Sequence, residues 1–575
     1  MYKLKLFIDF DGIYQHASPA EDTFVLTNLY KNSTTFNVNS NNTSWNEIYA
    51  EHEKFINDLN LDMLKSKYGD IDELNVYSFT SFLYPLGQWY SKILQLLNDG
   101  TIDVNTQVIF SSYSKNDKVF VFEAEGETNG QFLYQKSFYL SKYIEKYLKY
   151  LGFKNIHLNI DKTVRSNIYY YLRGGIVFLV KFLQILFYKF FIRNRNKLSF
   201  NDTGEKKILI SSRGIVQTQF IKNLYEKFSD RFVLMVNESS SKPFRNLKVS
   251  RSFESYYFAE GNISFSQLFR ESYFVIKNYF GKKYPIVSTF YGIELDFSKI
   301  LPECSIKRFH CKTYSLMIEN SIINIEKENN LKIAKILSME MLPPFPYYLH
   351  QDTNLPVYQV QTSALFCAPY PRFVYNSKFF FTDLRTYSEF MKLNISFKDK
   401  FGLLKNVKYL GLEKKSILTQ YKSITYFSQP IYLDEENQLI EFLKEFCQIN
   451  NLKFRVKFHP RAVIPNIDLS DIEIIEGTKN ATDVISESDI VATRTSAIGV
   501  DCWFLNVPVL FFVHGTMKKD DLSFIPKDYK GAIDGRLDFD SLKNDLPAIL
   551  ENFYSHPIHR EFSIDEELIE KELMN

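Results

Sequence analysis

The stretch "SITYFSQPIYLDEENQLIEFLKEFCQINNLKFRVKFHPR" (residues 423–461) decides the fold. It opens on a short apolar run that stops at Ser428-Gln429-Pro430. "DEENQLIEFLKEFCQ" then carries acids in its first turn and Leu439, Ile440, Leu443 and Phe446 at helical spacing, which predicts an amphipathic helix. "LKFRVKF" (452–458) places Leu452, Phe454, Val456 and Phe458 on one face of a strand. Further on, "IEII" (472–475), "DIVAT" (489–493) and "VPVLFFV" (507–513) read as strands, with short helices at "ATDVISES" and "SAIGVDCWFL" between them. Strands alternating with helices predict a parallel sheet with crossover helices, a Rossmann-like domain over 406–575.

A second such unit begins at "KKILISSRGIVQTQFIKNLYEKF" (206–228), and "FVLMVN", "YPIVSTF", "PVYQVQT" and "KFFFTD" extend it. Strands are also expected at "KLFIDF", "TQVIFSS" and "KVFVFEAEG", and a long helix at "FLYQKSFYLSKYIEKYLKYLGF". These segments are assigned to one α/β domain, 1–405, with 1–160 the part that could stand separately.

With 575 residues the chain suits two to four domains, and 45% hydrophobic against 24% charged residues is the ordinary globular range. Sixty-nine Lys and Arg against 67 Asp and Glu give a net charge of +2, so no global attraction to nucleic acid is expected. The five cysteines include no CxxC pair, which predicts a reducing compartment and no disulfide framework. Cys304, His310 and Cys311 lie close together, but no second ligand pair follows, so no metal is expected there. The charged start "MYKLKLFIDFDGIYQ" reads as a first strand rather than a signal peptide. No apolar run reaches 18 residues without a charge, so a membrane span is not predicted.

In a parallel α/β sheet, ligands bind beyond the carboxyl ends of the strands. Those ends supply Ser428-Gln429, His459-Pro460-Arg461, Thr493-Arg494-Thr495-Ser496 and the segment after Val513. Thr495 or Ser496 would cap the helix "AIGVDCWFL", whose free N–H groups and dipole favour a phosphate. His459 and Arg461 would add charge-assisted hydrogen bonds, and Asp501, further along the helix, would reach ribose hydroxyls. There is no GxxxxGK[ST] loop, GxGxxG fingerprint, HExxH or GxSxG, which argues against a P-loop NTPase, an NAD enzyme, a zincin or an α/β-hydrolase.

"KFHPR" (457–461) followed by "TRTSAIGVDCWFLNVPVLFF" (493–512) resembles the donor-binding half of bacterial GT-B glycosyltransferases of surface polysaccharide synthesis. The likeness is to the sialyltransferase, polysialyltransferase and Kdo transferase group, which uses CMP-activated sugars. It implies a GT-B fold, two Rossmann-like domains facing a cleft, with a nucleotide-sugar donor and a capsule or lipopolysaccharide glycan as acceptor. It also implies that His459-Pro460 and Thr495-Ser496 hold the nucleotide phosphate; Thr495 stands where the group has Ser. No cofactor is expected, and no metal if His459, Arg461 and the helix N-terminus neutralise the leaving phosphate.

An inverting transferase needs a carboxylate to deprotonate the acceptor hydroxyl. By the same resemblance it sits in a motif of two acids before a Gly, approximated by "FIDFDGI" and "FVFEAEGET". Glu125 is favoured over Asp11 as the base, with Glu123 or Asp9 its neighbour; Glu294, Asp296 and Glu340 are weaker candidates. A CDP-glycerol-type polyol-phosphate transferase is the nearest alternative, for which His16 and His350 are the available bases. A non-catalytic membrane-docked partner is the third reading.

"RSNIYYYLRGGIVFLVKFLQILFYKFFIRNRNK" (165–197) holds no acid and seven Lys or Arg, among them Lys181, Lys189, Arg193 and Arg195. A basic, aromatic-rich helix of this kind suits an anionic membrane surface. An insertion at about 163–200 is therefore expected to hold the protein on the inner face of a bacterial cytoplasmic membrane, where lipid-linked glycans are found.

Overall fold

A computed structural model describes residues 5–9, 23–27, 35–37, 47–48, 50–51, 54–55, 58, 83–110, 133–158, 164–191, 206–213, 222–237, 256–280, 285–296, 298, 301–338, 344–361, 378–382, 384–392, 398–429, 433–459, 467–477, 479–494, 496, 498–513, 525–526, 528–534, 538–557, 564 and 566–574. The chain divides into two compact units, one made chiefly of residues up to Leu404 and the other of Lys405–Asn575.

The first unit holds two sheets. Strands β1 (Lys5–Asp9), β2 (Thr23–Thr27), β3 (Thr35–Asn37), β4 (Gln107–Phe110) and β5 (Ile156–Leu158) form one, in the order β3-β2-β1-β4-β5. Helices α1 (Tyr84–Asn98) and α2 (Leu133–Tyr150) accompany it, and α3 (Val164–Phe191) follows. The second sheet starts with β6 (Lys206–Arg213), α4 (Lys222–Lys227), β7 (Phe232–Asn237), β8 (Tyr257–Phe258) and α5 (Phe265–Phe280). An antiparallel hairpin, β9 (Val287–Phe290) and β10 (Ile293–Asp296), interrupts it, so "YPIVSTF" is a hairpin arm and not a parallel strand. It resumes with α6 (Leu301–Asn329), β11 (Lys332–Ser338), α7 (Pro344–Thr353), β12 (Val357–Val360), β13 (Lys378–Phe381), α8 (Leu384–Lys392) and β14 (Phe401–Leu403).

Its order, β14-β13-β12-β11-β6-β7-β8, repeats the plan of the first sheet. The earliest strand is central, the next two go to one side, and the order then reverses. Ile208, Leu209 and Ile210 are all buried, as expected of a central parallel strand covered on both faces. The hairpin ties the sheets together. Ser288 donates to the Phe55 carbonyl (2.7 Å), Tyr143 donates to the Asp296 carbonyl, and one apolar core runs from Leu6 and Phe110 through Phe290 to Val233 and Ile336.

The second unit is a single sheet. It is built from β15 (Ser423–Phe427), α9 (Leu433–Ile449), β16 (Lys453–Lys457), β17 (Glu473–Ile474), α10 (Ala481–Ser486), β18 (Ile490–Thr493), α11 (Ile498–Leu505), β19 (Val509–Val513) and β20 (Ala532–Asp534), then α12 (Phe539–Ser555) and α13 (Glu566–Met574). All its pairings are parallel, in the order β17-β16-β15-β18-β19-β20. Alternate residues serve opposite faces. Val491, Val509 and Phe511 pack with Cys502 and Trp503 of α11, while Ile490, Ala492, Leu510 and Phe512 pack with Leu439, Leu443 and Leu546 of α9 and α12. Helices on both faces make this a doubly wound, Rossmann-like α/β domain.

Asparagine ends many of the helices. Asn330, Asn354, Asn451 and Asn506 have φ of 48°, 55°, 53° and 58°, the left-handed conformation in which a helix turns out of its axis. Leu331, Leu355, Leu452 or Val507 comes next. At two of these ends the closing bonds are complete: Leu452 N–H to Cys447 O (2.8 Å) with Asn451 N–H to Gln448 O (3.2 Å), and Val507 N–H to Cys502 O (2.9 Å) with Asn506 N–H to Trp503 O (3.3 Å). Each turn sends the chain straight into the following strand.

Within α3, Gly174–Phe191 is long and apolar enough by length and composition to cross a membrane, despite Lys181 and Lys189. That differs from the expectation of no such segment. Its inner face packs on the first unit, with Ile185 and Tyr188 buried and Phe178 set edge-on to Phe309 at 5.0 Å.

Candidate functional site

In the second unit the strand order reverses between β15 and β18, which is where a doubly wound sheet opens a crevice at its carboxyl edge. Phe427 pairs with Lys457 on one side and Thr493 on the other, so these three strands end level. Past these ends Ser428 follows by one residue, His459 by two and Ser496 by three, all at the same carboxyl edge.

Each is held by the backbone around it. Ser428 is buried; its N–H donates to the Lys457 carbonyl (3.1 Å) and its hydroxyl accepts the His459 N–H (3.0 Å). Ser428 therefore braces the end of β16, and half-buried His459 is the residue it presents. Ser496 caps α11: its hydroxyl accepts the Ile498 N–H (3.3 Å) and its carbonyl the Gly499 N–H (3.1 Å). Gly499 explains why that helix starts so close to the sheet. A Cβ there would fall 2.0 Å from Phe511 Cζ, so only glycine lets the first turn rest on β19.

Beneath this edge lies a buried polar network that the sequence did not announce. Arg494 has no exposed surface; it pairs with Glu435, and Nη1 reaches Glu436 Oε1 at 3.5 Å. Glu436 Oε2 accepts the Tyr426 hydroxyl (2.6 Å) and the Gln429 N–H (3.1 Å). Burial pushes the Glu436 carboxyl up to about 7, against the opposing pull of Arg494, Tyr426 and the Gln429 N–H. The sequence presents Arg494 as a cation for the ligand and the two glutamates as first-turn acids. In the fold they meet across 58 and 59 residues and fix the turn between β18 and α11. Lys457 is likewise turned inward, donating to the Glu476 carbonyl (3.1 Å), and burial followed by Lys479 lowers its pKa.

Asp501, expected at a ribose, takes the hydroxyl of Tyr409, whose ring stacks on Phe504 at 4.1 Å. Pro460, Arg461 and Thr495 lie outside the described residues, as do Asp11, Glu123, Glu125, Glu340, His16, Arg193 and Arg195. Asp9 ends β1. Glu294 is exposed on β10, while Asp296 accepts the N–H groups of Ile286 (3.3 Å) and Ser298 (2.9 Å), a local bracing role. His350 meets the Leu355 carbonyl through Nδ1 (2.9 Å) at the end of α7. Among the described residues no three or more His, Cys, Asp or Glu side chains converge as a metal site would require.

By sequence, no protein family and no curated protein matches the chain. Among solved structures it is similar to the kitacinnamycin glycotransferase (9% identity, TM-score 0.34), with 64% of this chain and 94% of that one covered. It is also similar to UDP-GlcNAc 2-epimerase from Neisseria meningitidis bound to UDP-GlcNAc (11%, TM-score 0.38, 64% and 100% covered). A third is UGT89C1 of Arabidopsis thaliana complexed with UDP-L-rhamnose (10%, TM-score 0.38, 64% and 94% covered). Likeness this distant leaves the chemistry to be read from the chain's own residues.

Proposed function

We propose that the protein is a glycosyltransferase that binds the phosphate of a nucleotide sugar at the carboxyl edge of β15, β16 and β18. One observation carries the reading: Ser428, His459 and Ser496 follow three neighbouring strand ends at the switch point, with Ser428 holding the His459 N–H and Ser496 capping the N-terminus of α11. The helix N-terminus and the imidazole of His459 would stabilise the negative charge that gathers on the leaving phosphate as the glycosidic bond to it breaks. Glu125, or else Asp11, would take the proton of the attacking hydroxyl, and direct attack would invert the anomeric centre. The resemblance of the His-Pro and Thr-Ser motifs to the sialyltransferase and Kdo transferase group implies a CMP-linked sugar as donor and a capsule or lipopolysaccharide glycan as acceptor, although Thr495 stands where that group has Ser.

The test is binding of CMP, CDP, UDP and GDP to the intact chain, with His459→Ala alongside. Loss of a charge-assisted hydrogen bond of about 1.5–3 kcal/mol should weaken the preferred nucleotide roughly 10- to 150-fold while the fold survives. If none of the four binds the wild-type chain, or if folded His459→Ala binds as tightly, the reading fails.

A further inference from the structure

Helix α3 presents a second apolar face, opposite the one that packs inward. Leu179, Leu183 and Phe187 are about half exposed, and Phe190 and Phe191 are 65% and 70% exposed. Helix α5 extends this surface. Phe265, Phe269, Tyr273 and Ile276 recur at intervals of four, four and three, which puts them on one side of the helix, and all are exposed, Tyr273 by 67%.

The two helices are joined. Phe190 lies 6.0 Å from Phe265 and Phe182 lies 6.1 Å from Phe269. Lys189 Nζ donates to the Ile263 carbonyl (2.5 Å) and stands 4.9 Å over the Phe265 ring. The sequence assigns Lys189 to a membrane surface; its ammonium in fact fastens α3 to the start of α5. Gly261, at φ +82°, lets the turn before α5 approach the Lys189 backbone, where a Cβ would come within 2.6 Å.

The charge on these helices has one sign. Residues 165–197 contain seven Lys or Arg and no acid. On α5 the only acid is Glu271, which is buried and paired with Arg270 and Arg308, leaving Arg270 and Lys277 as the charges near the exposed side. A second copy of this chain would bring like charges together across such a face. An anionic lipid leaflet complements it, with rings among the acyl chains and cations at the headgroups. The buried inner face of α3, with Ile185 and Tyr188, argues against α3 leaving the unit to span the bilayer alone.

We propose that α3 and α5 together form one lipid-docking face that lies flat in an anionic leaflet, with the α5 aromatic row inserted alongside α3. The inference is independent of the nucleotide reading.

The test is flotation of the full chain with vesicles of phosphatidylglycerol mixed into phosphatidylcholine, and with phosphatidylcholine alone. Binding should require the anionic lipid and be reversed by alkaline carbonate without detergent. Phe265→Ser/Phe269→Ser/Tyr273→Ser, which leaves α3 untouched, should lower partitioning by about 1,000-fold, at about tenfold per inserted ring. A single Phe269→Trp in the otherwise native chain should add indole fluorescence that brominated lipid quenches, which keeps the test decisive if the triple variant fails to fold. Undiminished partitioning of the triple variant, or no quenching of the fluorescence that Phe269→Trp adds, would overturn the proposal. So would release only by detergent, or a chain that ignores the anionic vesicles and is dimeric by light scattering.

Discussion

The carboxyl of Glu436 sets up a pH dependence that can be read directly. In the folded chain it titrates near 7 because burial outweighs the help of Arg494, whereas an unfolded glutamate titrates near 4.3. The folded state thus holds the proton more tightly. Its stabilising contribution is full below the unfolded pKa and is lost as pH rises through about 7. From pH 8 to pH 6 the second unit should gain about 1 kcal/mol from this group alone. Glu436→Gln keeps an oxygen that can accept from Tyr426 and the Gln429 N–H but cannot titrate, so its stability should be flat over the same interval. Amide exchange of peptides spanning 423–429, corrected for intrinsic rates and converted to opening free energies at pH 6, 7 and 8, reads this sheet without interference from the other unit. An identical slope in Glu436→Gln, or a wild-type chain that loses stability on acidification from 8 to 6, would refute the reasoning. Either result would mean that the guanidinium of Arg494 keeps Glu436 ionised.

Three further outcomes are expected. Gly499→Ala should destabilise the second unit by about 1–3 kcal/mol in urea titrations, because its Cβ collides with Phe511, and Phe511→Leu should recover part of the loss. Tyr409→Phe leaves Asp501 without that hydroxyl and should cost about 1–2 kcal/mol by the same measurement. Glu125→Gln should reduce sugar transfer by about 10²–10⁴ with nucleotide binding intact, while Asp11→Asn does much less; the reverse ranking in a turnover assay would move the base to Asp11.

The second unit was legible because its strands are short, apolar on one face or both and punctuated by Ser-Gln-Pro, His-Pro and Thr-Ser. Those same boundaries name Ser428, His459 and Ser496, since a strand end is both a topological and a chemical position. In contrast, β11, between β6 and β12, escaped the reading because Lys332 and Lys335 interrupt its apolar run. Lys335 is buried there with its ammonium 5.1 Å over the Tyr358 ring, and burial, then Lys378, lowers its pKa. The 29-residue α6 shows no single apolar stripe because it packs against α3, α5 and α7 at once. The pairing of Arg494 with Glu435 and Glu436 was invisible for another reason: a salt bridge between distant elements leaves no local periodicity. The same holds for the α5 aromatic row, whose spacing fits a buried stripe equally well until its exposure is known.

The asparagines that close the helices also bear on how this chain meets heat. A side chain in the left-handed region carries a steric cost that glycine avoids, offset in part by the greater freedom glycine has when unfolded. Asn330, Asn354 and Asn451 are exposed at their turns, so glycine could replace them without uncovering the core. Asn506 differs: its amide donates to the Lys415 carbonyl at 2.7 Å, fastening the 412–418 segment to the end of α11. Three of the four turns are thus open to thermostabilising exchange, whereas exchange at the fourth would loosen the strap that holds the C-terminal end of α11.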